Sequence, residues 1–131
     1  MDKEIRKAKI FNYTFAIIFL LIIISAVTLF GMWKWKRTFT VGKWMDNPND
    51  RHMIVSNMLS KNEIIGMSET EIVDLLGNET KPAPESFKYP NGEFPDENNL
   101  TYELGVLYMD NEWLVITMED GIAVDYVIGA N

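Results

Sequence analysis

The spacing of apolar and polar positions divides this chain into unlike parts. Across residues 13–33 no side chain is charged, and within 15–30 only Ser25 and Thr28 interrupt a run of Ile, Leu, Phe, Val and Ala. A helix of that length, rising about 1.5 Å per residue, reaches roughly 30 Å, the hydrocarbon thickness of a bilayer. The run is apolar on every side, whereas a core helix of so small a chain would keep one wetted stripe. A transmembrane helix over 13–33 is therefore predicted, preceded by a basic tail over 1–12 and followed by a juxtamembrane linker over 34–49.

Beyond the linker the pattern turns amphipathic. Met53, Ile54, Met58 and Leu59 fall along one side of a helix expected over 50–61, with Asn49 or Asp50 as its cap. Ser68 and Glu71 stand at capping-box spacing, Met67 and Ile72 at the positions of a hydrophobic staple, and Ile72, Leu75 and Leu76 form a short apolar face closed by Gly77. Residues 78–99 contain Pro82, Pro84, Pro90 and Pro95 and predict a long irregular loop. Strand alternation follows: Leu100, Tyr102 and Leu104; then Trp113 to Met118 after a turn at Asp110-Asn111-Glu112; then Ile122 to Ile128 after Glu119-Asp120-Gly121. The last strand places Ile122, Val124, Tyr126 and Ile128 on one face, with Ala123, Asp125 and Val127 on the other. The fold class expected is α+β: one transmembrane helix, then over 50–131 a small domain of two helices packed on a three-stranded antiparallel sheet.

The flanks of the apolar run support an anchor. Tyr13 on one side and Trp33 and Trp35 on the other place amphipathic rings at headgroup depth, where Lys34, Lys36 and Arg37 can snorkel. The run is longer than a cleaved signal requires and lacks an Ala-x-Ala-like site, Ser25-Ala26 being the only weak candidate; an uncleaved signal anchor is the preferred reading. Lys3, Arg6, Lys7 and Lys9 before the span nearly balance Lys34, Lys36, Arg37 and Lys43 after it. A basic tail leading into an apolar run is what secretion machinery reads, so a single-pass protein of the cell membrane with its soluble domain outside the cytoplasm is expected.

Charge narrows the partners. Residues 1–37 carry seven Lys and Arg against two acidic groups, net +5; residues 38–131 carry five against seventeen, net −12. So acidic a domain is not built for nucleic acid. Its acidity fits either a solvated surface or an electrostatic lure for a basic partner. The chain has no cysteine, which removes disulfides, thiol catalysis, thiolate metal sites and lipidation at a terminal Cys. The lone His52 has no second His or Cys with which to form a metal site and reads as a surface residue beside a helix start. No catalytic, cofactor-binding or metal-ligating residue stands out, and no cofactor or small-molecule substrate is expected; Asp and Glu are numerous enough to leave a carboxylate pair open, though no spacing selects one. If Leu114, Ile116 and Met118 point to the core, the other sheet face carries Trp113, Val115 and Val127. That set is more apolar than a wetted face requires, so it is the candidate partner face, with a small second cluster under the long loop as the competing reading.

The order of parts resembles a known family. Gly66, Met67, Ser68, Glu71, Ile72, Leu75, Leu76 and Gly77, then Tyr102, Leu104 and Gly105, then Asp120 and Gly121 are similar to the pattern of the small-protein-A and outer-membrane-lipoprotein-A family over about residues 50–128. The resemblance implies two helices on a three-stranded antiparallel sheet, like one repeat of the β-lactamase inhibitor protein, and a role in binding other proteins without catalysis. The chain departs from the pattern in having a spanning helix in place of a lipidated Cys, in lacking a Pro soon after Leu75-Leu76-Gly77, and in its long loop. The expectation is a non-catalytic protein–protein interaction module of the bacterial cell envelope, attached to lipid through one helix and binding a still unidentified protein. The alternative is an immunity-like or inhibitor protein that neutralises a toxin or enzyme through its acidic domain.

Overall fold

A computed structural model describes residues 2–79 and 98–130, and divides the chain into two compact units, 1–36 and 37–131. The first is a single helix, α1 (Lys3–Arg37), whose 35 residues include the whole apolar run and of which none is buried. It is long and apolar enough to cross a membrane. Two hydroxyls inside or beside the run are satisfied by the helix itself: Thr14 Oγ1 donates to the Ile10 carbonyl (2.9 Å) and Thr28 Oγ1 to the Ile24 carbonyl (2.8 Å).

The second unit is α+β. Its helices are α2 (Val41–Asp46), α3 (Arg51–Lys61) and α4 (Glu69–Leu76), with a 3₁₀ turn at Pro48–Asp50. Its strands β1 (Leu100–Leu107), β2 (Asp110–Glu119) and β3 (Ile122–Ala130) form one antiparallel sheet in the order β1-β2-β3. Ile54, Val55 and Met58 of α3, Ile72 and Leu76 of α4, and Leu100, Tyr102, Leu104, Leu114 and Ile116 of the sheet build the main core.

The expected linker over 34–49 is corrected. Phe39 and Trp44 are buried members of the core, and Trp44 is fully so. Thr40 caps α2 by accepting from the Lys43 amide (3.2 Å), the Phe39 amide donates to Asn57 Oδ1 (2.7 Å), and Lys43 Nζ donates to the Thr38 carbonyl (3.0 Å). The segment is short and its apolar residues too few for a periodicity, so the burial of one Trp was invisible in the pattern. The expected Asn49 or Asp50 cap is also absent: Asp50 makes no side-chain cap bond, because the 3₁₀ turn already leads the chain into α3. At α4 the capping box is present, with the Ser68 amide donating to Glu71 Oε2 (2.8 Å) and the Glu71 amide to Ser68 Oγ (3.2 Å).

Two bulges reset the sheet. One, at Leu104 in β1, separates the pairs Glu103 with Trp113 and Gly105 with Glu112. The other, at Val124 in β3, separates Met118 paired with Ala123 from Thr117 paired with Asp125. An extra residue flips every side chain on one side of it to the opposite face. Ala123 therefore enters the core, whereas strict alternation put it with Asp125 and Val127, and Ile122 and Val124 are left exposed. The first hairpin also turns earlier than expected, at Tyr108-Met109, and Asp110 to Glu112 belong to β2. The second turns at Asp120-Gly121, both with positive φ (50° and 76°), as a two-residue loop between right-twisted strands requires. The expected loop over 78–99 lies, apart from its ends, outside the described residues.

Candidate interaction surfaces

Trp44 organises the chemistry of the domain. Its ring meets Phe39 and Tyr102 edge-on at centroid distances of 6.0 and 6.2 Å, and the Arg51 guanidinium lies over it at 4.8 Å. Its indole Nε1 donates to the Leu76 carbonyl (3.0 Å), and the Tyr102 hydroxyl donates to the Gly77 carbonyl (2.8 Å). Two orphan carbonyls at the end of α4 are thus closed by aromatic side chains from elsewhere in the fold. Burial, with the Glu79 carboxylate adding to it, pushes the Tyr102 phenol up to about 12. Arg51 is buried as well, donating from Nε to the Trp44 carbonyl (2.8 Å) and from a terminal nitrogen to the Glu103 carbonyl (3.3 Å); burial lowers its pKa, which Tyr102 and Glu103 oppose. His52, expected at the surface, is half-buried with Nδ1 3.3 Å from the Leu104 carbonyl. These polar groups serve the fold: each is aimed at a backbone carbonyl. Among the described residues no group of three His, Cys, Asp or Glu side chains is placed to hold a metal ion.

The proposed partner face changes character. Trp113 is 5% exposed and Val115 fully buried, and with half-buried Val127 they form a second small cluster on the sheet face opposite the helices. The residues are apolar because that face is also packed, so they do not offer an open patch. The membrane-interface set, Tyr13, Trp33, Lys34, Trp35, Lys36 and Arg37, lies entirely on α1 with every member exposed, and the Trp33 ring stacks on Phe30 at 6.0 Å.

The open apolar surface of the domain lies instead at the first hairpin. Val106, Leu107, Tyr108 and Met109 are consecutive, with exposures of 56, 42, 94 and 94%. Tyr108 also holds a positive φ of 61°, a conformation that costs a residue with a Cβ about 1 kcal/mol. Four consecutive exposed apolar residues are not expected of a surface that only has to stay dissolved. The sequence carried the signal, since 106–109 is an unbroken apolar run, but with the turn expected at 110–112 these residues were not recognised as the hairpin tip.

The two outer edges of the sheet are treated differently. Along β1, the Thr101 amide donates to Glu79 Oε2 (3.1 Å), and Arg51 and His52 meet the carbonyls of Glu103 and Leu104. Along the first part of β3, the Gly66 amide donates to the Ala123 carbonyl, the Ala123 amide to the Met67 carbonyl (both 2.8 Å), and the Glu69 amide to the Gly121 carbonyl (3.1 Å). The next outward amide, that of Tyr126, is held by its neighbour Asp125 Oδ1 at 2.8 Å. The chain matches no family model, no curated protein and no solved structure.

Proposed function

We propose that the protein is a single-pass membrane protein whose α+β domain, outside the cytoplasm, recognises another protein and performs no chemistry of its own. The observation that carries this reading is the hairpin tip, where Tyr108 and Met109 stand almost wholly in solvent at the end of a paired two-stranded arm. An aromatic and a methionine with a strained backbone, presented by an ordered scaffold, form a docking element that needs little ordering on binding. The buried polar groups support it from the other side, since Arg51, Tyr102 and Trp44 are committed to backbone carbonyls. The resemblance to the small-protein-A and outer-membrane-lipoprotein-A family, carried by the motifs at residues 66–77, 102–105 and 120–121, is retained as part of the proposal. The acidic surface admits the inhibitor reading, in which the partner is a basic toxin or enzyme.

The test is site-specific photo-crosslinking in native membranes, with a benzophenone side chain at Tyr108 or at exposed Asp74 on α4. One discrete protein adduct at 108 and none at 74 is expected; equal adducts at both positions, or adducts to lipid alone, would reject docking through the tip. Resistance of the chain to alkaline extraction, and digestion of the domain by protease added outside intact cells, check the anchor and its orientation.

A further inference from the structure

We infer that the partner engaged by the first hairpin offers its tip an apolar socket rimmed by lysine or arginine; this rests on the tip being the docking element proposed above. Val106 to Met109 supply the apolar end. Two acids stand at its base. Asp110 pairs across the hairpin with Leu107 and Glu112 with Gly105, and, two residues apart on one strand, they project from the same face. Asp110 is exposed and Glu112 half-buried, and among the described residues neither makes an ion pair. A strand rises about 3.4 Å per residue, so even Glu112 lies only about 10 Å along the chain from Met109, comparable with one screening length at physiological salt.

Nothing on the strands offsets this pair. Residues 98–131 hold six acids and no Lys, Arg or His. Arg51, which reaches β1, is 6% exposed and turned onto the carbonyls of Trp44 and Glu103. The tip therefore carries its apolar residues in a negative field, and that field selects the occupant: it repels an anionic lipid surface and a second copy with the same acids in the same place, and it draws in a cationic protein. Acidity alone is not the signal. Glu119 and Asp120 are exposed at the other end of β2, but no comparable apolar run flanks them, and the Gly121 carbonyl beside them is already closed by the Glu69 amide (3.1 Å). At the first hairpin the two features coincide and divide the work. Tyr108 and Met109 are the groups to be desolvated in the socket, whereas Asp110 and Glu112 stay at its wet rim, where charge governs encounter and choice of partner more than affinity.

The test uses the full chain in native membranes, with a benzophenone side chain at Met109 and the yield of protein adduct as the readout. Three double variants are compared with the parent: Asp110→Asn/Glu112→Gln, Asp110→Lys/Glu112→Lys, and Glu63→Lys/Asp74→Lys, which makes the same change in net charge at exposed positions away from the sheet. The lysine pair at the tip should lower the yield by roughly tenfold and the amide pair by a smaller factor, while the Glu63/Asp74 pair stays within about twofold of the parent. Raising salt from about 0.05 M to about 0.5 M should weaken the parent's adduct and leave that of the amide pair nearly unchanged. The amide pair keeps side-chain size, so it decides the matter should the lysines disturb the hairpin. Equal yields from the parent and both tip variants would overturn the basic rim while keeping the tip as the docking element. Equal losses from the tip pair and the Glu63/Asp74 pair would assign the effect to total charge and overturn it as well. No protein adduct from the parent, or adducts to lipid alone, would overturn both the rim and the docking element.

Discussion

Gly105 offers the sharpest test of how the domain is assembled. It sits just after the β1 bulge with φ +107°, and a Cβ built there would collide with the carbonyl group of Asn49, lying 2.9 Å even from its Cα. Asn49 belongs to the 3₁₀ turn that feeds α3, so the closeness of β1 to that turn is set by the missing side chain. Gly105→Ala should therefore carry two penalties. The backbone conformation costs about 1–2 kcal/mol for a residue with a Cβ, and pushing the turn away from the strand costs about 1–3 kcal/mol more. Gly121→Ala is the control: its φ is +76°, yet nothing lies within 4 Å of the added Cβ, so only the first penalty applies. With about 4–8 °C per kcal/mol for a domain of this size, Gly105→Ala should lower the unfolding midpoint by roughly 10–40 °C and Gly121→Ala by about half that or less. Circular dichroism read at the tryptophan edge, ~295 nm, of the full chain in micelles and in a Trp33→Phe/Trp35→Phe background reports on Trp44 and Trp113. Equal midpoints for the two variants would refute the close approach of strand and turn.

The other predictions follow from individual bonds. Tyr102→Phe leaves the Gly77 carbonyl without its donor and should cost about 1–2 kcal/mol at neutral pH in urea unfolding. Because the folded-state phenol is raised to about 12 from an ordinary value near 10, its contribution is present below pH 10 and is lost as pH rises toward 12; the wild type should lose up to about 2 kcal/mol across that window and the Phe variant correspondingly less, as read from urea midpoints against pH. Arg51→Lys keeps a charge but cannot span the Trp44 and Glu103 carbonyls while lying on the indole face, and should destabilise by about 1–3 kcal/mol in the same assay. Ser68→Ala opens the capping box and should cost about 1 kcal/mol, with faster amide exchange at Glu71. Tyr108→Gly relieves the positive φ and should stabilise the domain by up to about 1 kcal/mol while abolishing the adduct formed at the tip from a benzophenone at Met109.

What was legible in the residues was what depends on near neighbours. The apolar run, the Ser68 to Glu71 box and the Asp120-Gly121 turn are local statements, each decided within a few positions, and each has the expected counterpart in the structure. Trp44 was not legible, because nothing within the 34–49 stretch announces that its indole will find Leu76, thirty-two residues on. Nor were the bulges at Leu104 and Val124: alternation assumes a constant period of two, and one extra residue moved Ala123 into the core and set Ile122 and Val124 outside. The same assumption misplaced the candidate face. Trp113 and Val115 were correctly put opposite Leu114 and Ile116, but which side of a sheet is wet is decided by what packs over it, a long-range fact that alternation does not carry.

That misplacement bears on how the protein would act. Both faces of the sheet contain buried side chains, so recognition through a broad sheet surface would first have to uncover Trp113 and Val115, at a cost near that of opening a core. The tip and the remaining β3 edge require no such opening. Tyr108 and Met109 already stand in solvent, and the edge needs only the Asp125 contact with the Tyr126 amide to yield, an exposed bond whose net worth is about 1 kcal/mol or less. The two surfaces also differ in kind: the tip offers side chains and therefore selects a partner by shape, whereas the edge offers backbone and accepts any strand that its few charges tolerate. Asp125→Lys should accordingly leave the tip's adduct unchanged while altering which strands the edge will accept, and loss of both activities together would show that the two surfaces are one.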